Sequence, residues 1–207
     1  MKKTFLGLAI IGLSCSALAN ELYPTGFYIG GKLGTSLVHP QKIQHNEIAY
    51  GSFTKAVLAG ALDAGYDFSY SFDIPMRAEI EYTMRTKVKK DVVKDDNTIK
   101  VKTNPDTLLA NFYYDFYTGT GFTPYLTAGV GVGFTKLKVE KDDVETSKKK
   151  TKLAWAVGLG SSYNFTDALT ADLTVRFLDA GKIKGEETEG SATLVGADIL
   201  FGLRYAF

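Results

Sequence analysis

The sequence predicts an all-β fold, an eight-stranded antiparallel up-and-down transmembrane β-barrel. Three observations carry that prediction: eight segments alternate apolar and polar residues with period two, their connections alternate between short and long, and the amino terminus is built for export. Successive side chains of a strand turn to opposite faces, so sustained alternation describes a wall with lipid on one side and a lumen on the other.

Export is read from the first residues. Lys2 and Lys3 precede an apolar run from Phe5 to Leu13, then small residues ending Ala17-Leu18-Ala19. This pattern predicts a signal peptide over residues 1–19, cleaved before Asn20, and a barrel domain over 20–207. A membrane anchor needs roughly 18 apolar residues, more than this run supplies. Cys15 follows Gly12-Leu13-Ser14, where a lipoprotein acceptor site wants a large aliphatic in place of Gly12. Removing residues 1–19 removes the only cysteine, which excludes disulfides, thiolate catalysis and cysteine-held metals. The remainder, 207 − 19 = 188 residues, suits one domain. Its 22 basic and 23 acidic residues give a net charge of −1 and no argument for nucleic acid. A mean hydropathy of −0.04 looks soluble, but the two faces of a transmembrane barrel average out in that measure.

The strands follow in order. The first, Phe27 to Leu37, sends Lys32 inward; the second, Ala56 to Phe68, sends Asp63 and Asp67 inward. The third sets Met76, Ala78, Ile80, Tyr82 and Met84 against Arg77, Glu79, Glu81, Thr83 and Arg85. In the fourth, Leu108, Ala110, Phe112, Tyr114 and Phe116 oppose Asn111, Tyr113 and Asp115. The fifth points Leu126, Ala128, Val130, Val132 and Phe134 outward, with Tyr125, Thr127, Gly129, Gly131 and Gly133 inward. Leu153, Trp155, Val157, Leu159 and Tyr163 form the outer face of the sixth. The seventh opposes Leu169, Ala171, Leu173, Val175 and Phe177 to Thr170, Asp172, Thr174 and Arg176. From Val195 to Phe207, the odd positions of the eighth suit lipid, while the even ones include Asp198, Leu200 and Arg204.

Short turns are expected at 69–74, 119–122 and 165–168, and long polar loops at 39–54, 89–103, 139–151 and 183–193. Short periplasmic turns and long outer loops are the arrangement of outer-membrane barrels, with both termini periplasmic. Phe27, Tyr66, Phe68, Phe116, Tyr163, Phe165, Tyr205 and Phe207 are expected in the periplasmic aromatic girdle, with Phe134 and Trp155 toward the outer one. A soluble sandwich or lipocalin-like barrel would instead bury Phe134, Trp155, Phe177 and Phe201 and expose the charged face. Strand length and the aromatics near segment ends favour the membrane.

Gly26-Phe27-Tyr28-Ile29-Gly30-Gly31-Lys32, Ala64-Gly65-Tyr66-Asp67-Phe68, Arg77-Ala78-Glu79-Ile80-Glu81-Tyr82, Ala110 to Phe116, Thr123 to Gly131 and the terminal Gly202-Leu203-Arg204-Tyr205-Ala206-Phe207 follow one another in this order. Together they resemble the small eight-stranded outer-membrane proteins, the opacity-type porins and the OmpA-like transmembrane domain. The resemblance implies that Tyr205 and the terminal Phe207 are the signal read by the barrel-assembly machinery. It also implies a chain without the periplasmic peptidoglycan-binding domain of longer relatives.

The predicted lumen carries Lys32, Arg77, Arg85, Arg176 and Arg204 against Asp63, Glu79, Glu81, Asp115, Asp172 and Asp198, five cations facing six anions. An eight-strand barrel is only wide enough to be filled by side chains, and confined charges must pair. A structural ion-pair network is therefore expected, with a narrow ion or small-solute path as the alternative. The inward glycines make room for long side chains. Gly129 to Gly133 is not a phosphate loop, lacking a Lys-Ser and a following helix.

Function is assigned to the loops. Residues 87–102 carry six Lys against three Asp, and 136–152 seven Lys against four acids, including Lys148-Lys149-Lys150. Residues 179–189 carry two Lys against four acids. Expected partners are outer-membrane lipid, lipopolysaccharide phosphates, the barrel-assembly machinery and an acidic host surface ligand engaged by Lys148, Lys149 and Lys150. An enzyme reading rests on Ser36, His39, His45 and Glu47 standing within twelve residues, but nearness in sequence is not triad geometry. No cofactor or metal is expected, since two histidines alone make an incomplete site. The sequence reading is a non-enzymatic outer-membrane surface protein, an envelope anchor or adhesin-type antigen.

Overall fold

A strand inside a membrane has no water to satisfy its N–H and C=O groups, so the sheet has to close on itself. The computed structural model describes residues 25–41, 44–45, 48–49, 55–86, 88–94, 97–141, 144–184 and 191–207. The signal peptide assigned to 1–19 lies outside them.

Eight antiparallel strands form the wall: β1 (Phe27–Gln41), β2 (Lys55–Asp67), β3 (Met76–Arg85, continued as Val88–Lys94), β4 (Asn97–Asp115), β5 (Phe122–Lys141), β6 (Val144–Asn164), β7 (Leu169–Lys184) and β8 (Ser191–Ala206). Each pairs with its sequence neighbours, and β1 pairs with β8 to complete the ring. Closure is completed at the termini, where Thr25 N donates to the Phe207 carbonyl at 3.0 Å and Phe207 N donates to the Phe27 carbonyl at 3.0 Å.

Apolar residues cover the outside of the ring. Leu33 is 73% exposed, and Leu58 and Leu153 are each 69% exposed, a distribution that belongs in lipid. The soluble sandwich is thereby excluded, because Trp155, Phe177 and Phe201 point out of the barrel and the charged face points in. Phe27 and Tyr66 pack edge-on at 4.8 Å, and Tyr163 lies between Phe122 and Phe165 at 4.7 and 5.1 Å, near the periplasmic ends. Trp155 and Phe177 meet at 5.6 Å toward the outer ends.

The long loops expected at 89–103 and 139–151 are in large part strand. Segments 88–94 and 97–103 pair with each other, and 135–141 pairs with 144–150. Val88, Val92, Val93, Ile99, Val101, Val139 and Val144 supply β-branched residues between the charges, and the extended form suits them. The lysines and aspartates hid that alternation in a reading by polarity. The first periplasmic connection contains one helical turn, Ser69–Phe72, where a plain turn was expected.

Inward glycines are required by neighbours. A Cβ on Gly30 would lie 2.2 Å from an Asp63 carboxylate oxygen, and one on Gly158 2.5 Å from the Arg176 Cβ. At Gly131 the obstacle is backbone: a Cβ would stand 2.1 Å from the Leu108 carbonyl oxygen and 2.9 Å from the Leu109 Cα. Gly131→Ala should force β4 and β5 apart at a cost of about 1–3 kcal/mol. A lower urea midpoint and a smaller heat-modifiable folded band on gels check this.

Candidate functional site

Strand parity delivers the charged side chains to the lumen, and register decides which meet. Lys32 on β1 reaches β3, with Nζ 2.7 Å from Glu79 Oε1 and 2.8 Å from Glu81 Oε2. Asp63 stands further off, 3.7 Å from the same ammonium. Glu81 also accepts Arg176 at 2.8 Å, Arg176 Nε lies 3.0 Å from Asp198 Oδ2, and Arg85 Nη2 lies 2.7 Å from that same oxygen. The result is one alternating chain, Lys32, Glu81, Arg176, Asp198, Arg85, that crosses the lumen and ties together β1, β3, β7 and β8. Glu81 and Asp198 are 0% exposed.

Below this chain, on the periplasmic side, Arg77 forks onto Asp115 at 2.7 and 2.8 Å. Its guanidinium lies 4.4 Å from the Tyr113 ring centroid and 5.0 Å from that of Tyr125. Arg204 pairs with Asp172 at 3.1 Å over the Tyr28 ring, and Ser162 donates to Asp172 at 2.6 Å. Tyr113 donates to Glu79 at 2.7 Å. All eleven charged residues assigned to the lumen lie in it and pair with one another, Arg204 being the one only half-buried.

Beside the chain the lumen turns apolar. Leu109, Ala154, Ala156 and Leu178 form a buried cluster, with Leu200 also buried on the inner face. The sequence reading left out Leu109 and Leu178, although their parity with Asn111 and Arg176 marks them as inward. A bowl of ≈ 280 Å³ opens at the periplasmic mouth between Tyr28, Asp67, Tyr70, Tyr117 and Arg204. The cavity beside Ser36, Arg85 and Leu178 at the outer end holds only ≈ 10 Å³, too little for more than about one water.

The remaining sequence candidates separate. Ser36 is buried and accepts a hydrogen bond from Arg85 Nε at 3.1 Å, so it belongs to the ion-pair network. His39 falls at the opposite parity of the same strand, and Glu47 lies outside the described residues. Among the described residues no group of three or more metal-ligating side chains occurs. Lys148-Lys149-Lys150 lies within β6. Tyr205 and Phe207 are half-exposed at the periplasmic end of β8, beside the closing hydrogen bonds.

A closed barrel with a lipid-facing apolar wall and an ionic interior is an integral outer-membrane protein. The chain belongs to the outer membrane protein beta-barrel domain family, whose model matches residues 5–207. It is 33% identical to outer membrane protein PagN of Salmonella typhimurium, over 99% of this chain and 100% of that protein. A Rickettsia conorii protein described as a candidate adhesin is 30% identical over 54% of this chain and 52% of its own length. Neisserial surface protein A has the same fold, with a TM-score of 0.56 at 19% identity over 88% of this chain and 98% of that one.

Breaking the ionic chain should be expensive, since a buried partner is left without its counter-charge. Arg176→Met is expected to lower unfolding free energy in detergent by about 3–5 kcal/mol. Trp155 fluorescence across a urea titration measures it, and the loss should persist at high salt because the pair is screened from solvent ions.

Proposed function

We propose that this outer-membrane barrel is a surface interaction protein, an envelope anchor and adhesin-type antigen whose contacts are made by its extracellular hairpins while its own side chains seal the lumen. The observation that carries the reading is the unbroken path from Lys32 to Asp198 beside an apolar cluster, with a cavity of only ≈ 10 Å³ toward the outer end. A barrel occupied in this way has its chemistry left to the parts outside the membrane. Those parts are substantial, since β5 continues seven residues past Phe134 and pairs with β6 throughout. Similarity to PagN along the whole chain, and to the candidate adhesin over half of that protein's length, supports the same reading.

The alternative of a narrow passive path has the periplasmic bowl in its favour, but it needs the ionic chain and the apolar layer to part. A lipid A-modifying enzyme is disfavoured, since Ser36 is bound to Arg85 and His39 has the opposite parity. In this proposal the partners are outer-membrane lipid and lipopolysaccharide around the wall and an acidic host ligand at the hairpins. The barrel-assembly machinery reads Tyr205 and Phe207 during insertion, and nucleic acid has no part.

Intact cells carrying wild-type protein, versions with each extracellular hairpin shortened, or Lys148, Lys149 and Lys150 all replaced by Glu test the reading. Attachment to host cells and to heparin-like polymers at low salt should fall for the shortened 88–103 and 136–152 hairpins and for the triple replacement. Attachment unchanged in every variant would sink the adhesin reading.

A further inference from the structure

The periplasmic bowl takes no part in the ion-pair chain or in the contacts assigned to the hairpins. Three tyrosine rings line it: Tyr28 is buried on β1, while Tyr70 and Tyr117 are exposed on the turns around the mouth. Tyr70 projects from the helical turn Ser69–Phe72, and its hydroxyl donates to the Asp167 carbonyl at 3.4 Å, so its ring reaches toward the turn between β6 and β7. A volume of ≈ 280 Å³ has room for roughly nine non-hydrogen atoms at about 30 Å³ each.

The charge in the lining is lopsided. Asp67, Asp73 and Asp115 face a single cation, Arg204. Asp115 is already bound by Arg77, and Arg204 by Asp172. Asp67 accepts from the Ser69 amide and hydroxyl at 3.0 and 2.6 Å, and neither it nor Asp73 has a basic partner among the described residues. Burial, then the Asp67 carboxylate, push the Tyr70 phenol above its ordinary value, in keeping with a negative field at the mouth.

A separate observation points to an occupant. Thr123 on β5 lines the bowl at 7% exposure, yet its hydroxyl has no hydrogen-bond partner among the described residues. A buried hydroxyl left unpaired is costly, and a donor entering the bowl would satisfy it. Aromatic faces attract cations, and carboxylates bind ammonium groups through charge-assisted hydrogen bonds. An anion would meet the carboxylates of Asp67 and Asp73, and a neutral solute would leave both without a counter-charge.

We propose that the bowl is a periplasmic binding site for a small organic amine in its ammonium form, with Asp67 and Asp73 holding the charge, Tyr28, Tyr70 and Tyr117 surrounding it and Thr123 accepting a hydrogen bond. A linear diamine of four or five carbons fits the volume. The proposal is independent of the adhesin reading, since it uses only the opposite end of the barrel.

The test titrates full-length folded protein in uncharged detergent with 1,5-diaminopentane by calorimetry, with 1,5-pentanediol and glutarate as neutral and anionic probes of the same length. Wild type should bind the diamine saturably and in preference to the other two. D67N/D73N should bind it about tenfold or more weakly, and Y70A/Y117A several-fold more weakly. D167N removes a carboxylate from the neighbouring turn, outside the lining, and should bind like wild type. Because Asp67 holds its turn through Ser69, D73N alone serves if the double variant fails to fold, with folding read from heat-modifiability. No saturable binding of the diamine by wild type, no loss in the bowl variants, or an equal loss in D167N would overturn the proposal. So would diol or glutarate binding as tightly as the diamine, the first assigning the bowl to a neutral solute and the second to an anion on Arg204.

Discussion

The structure depends on confinement of charge. Closing eight strands satisfies the backbone in lipid but leaves a lumen only as wide as its own side chains, and many of those described are ionic. A carboxylate held there without a partner would cost several kcal/mol, so each has to find a cation, and the cations have to be shared. Glu81 accepts from both Lys32 and Arg176, and Asp198 from both Arg176 and Arg85. Sharing turns separate pairs into a continuous strut between opposite walls. The glycines follow from it, because Gly30 and Gly158 stand where Asp63 and Arg176 need their space.

The same confinement divides the labour of the molecule. Ions occupy the centre among the described residues, Leu109, Leu178 and Leu200 fill the inner face beside them, and the periplasmic mouth holds a bowl of ≈ 280 Å³. On the proposed reading, recognition falls to the hairpins above the lipid-facing wall.

Period-two alternation was enough to read the fold from the sequence, because one face of every strand meets hydrocarbon and tolerates no charge. It also placed Lys32, Glu81, Arg176 and Asp198 in the lumen. It does not give the bridge from Lys32 to β3, which depends on how far the strands stagger around the ring. The apolar layer was missed because Leu109 and Leu178 look lipid-facing by type and only parity says otherwise. The strand extensions at 88–103 and 135–150 were read as loops because lysines and aspartates diluted the valines.

Single-molecule recording in planar bilayers tests the sealed lumen most directly. Purified wild-type protein, shown to be folded and inserted, is expected to give no conductance steps above the empty bilayer. Reproducible unitary steps that change in size when Asp198 or Leu109 is replaced would contradict the account and make the lumen a pathway.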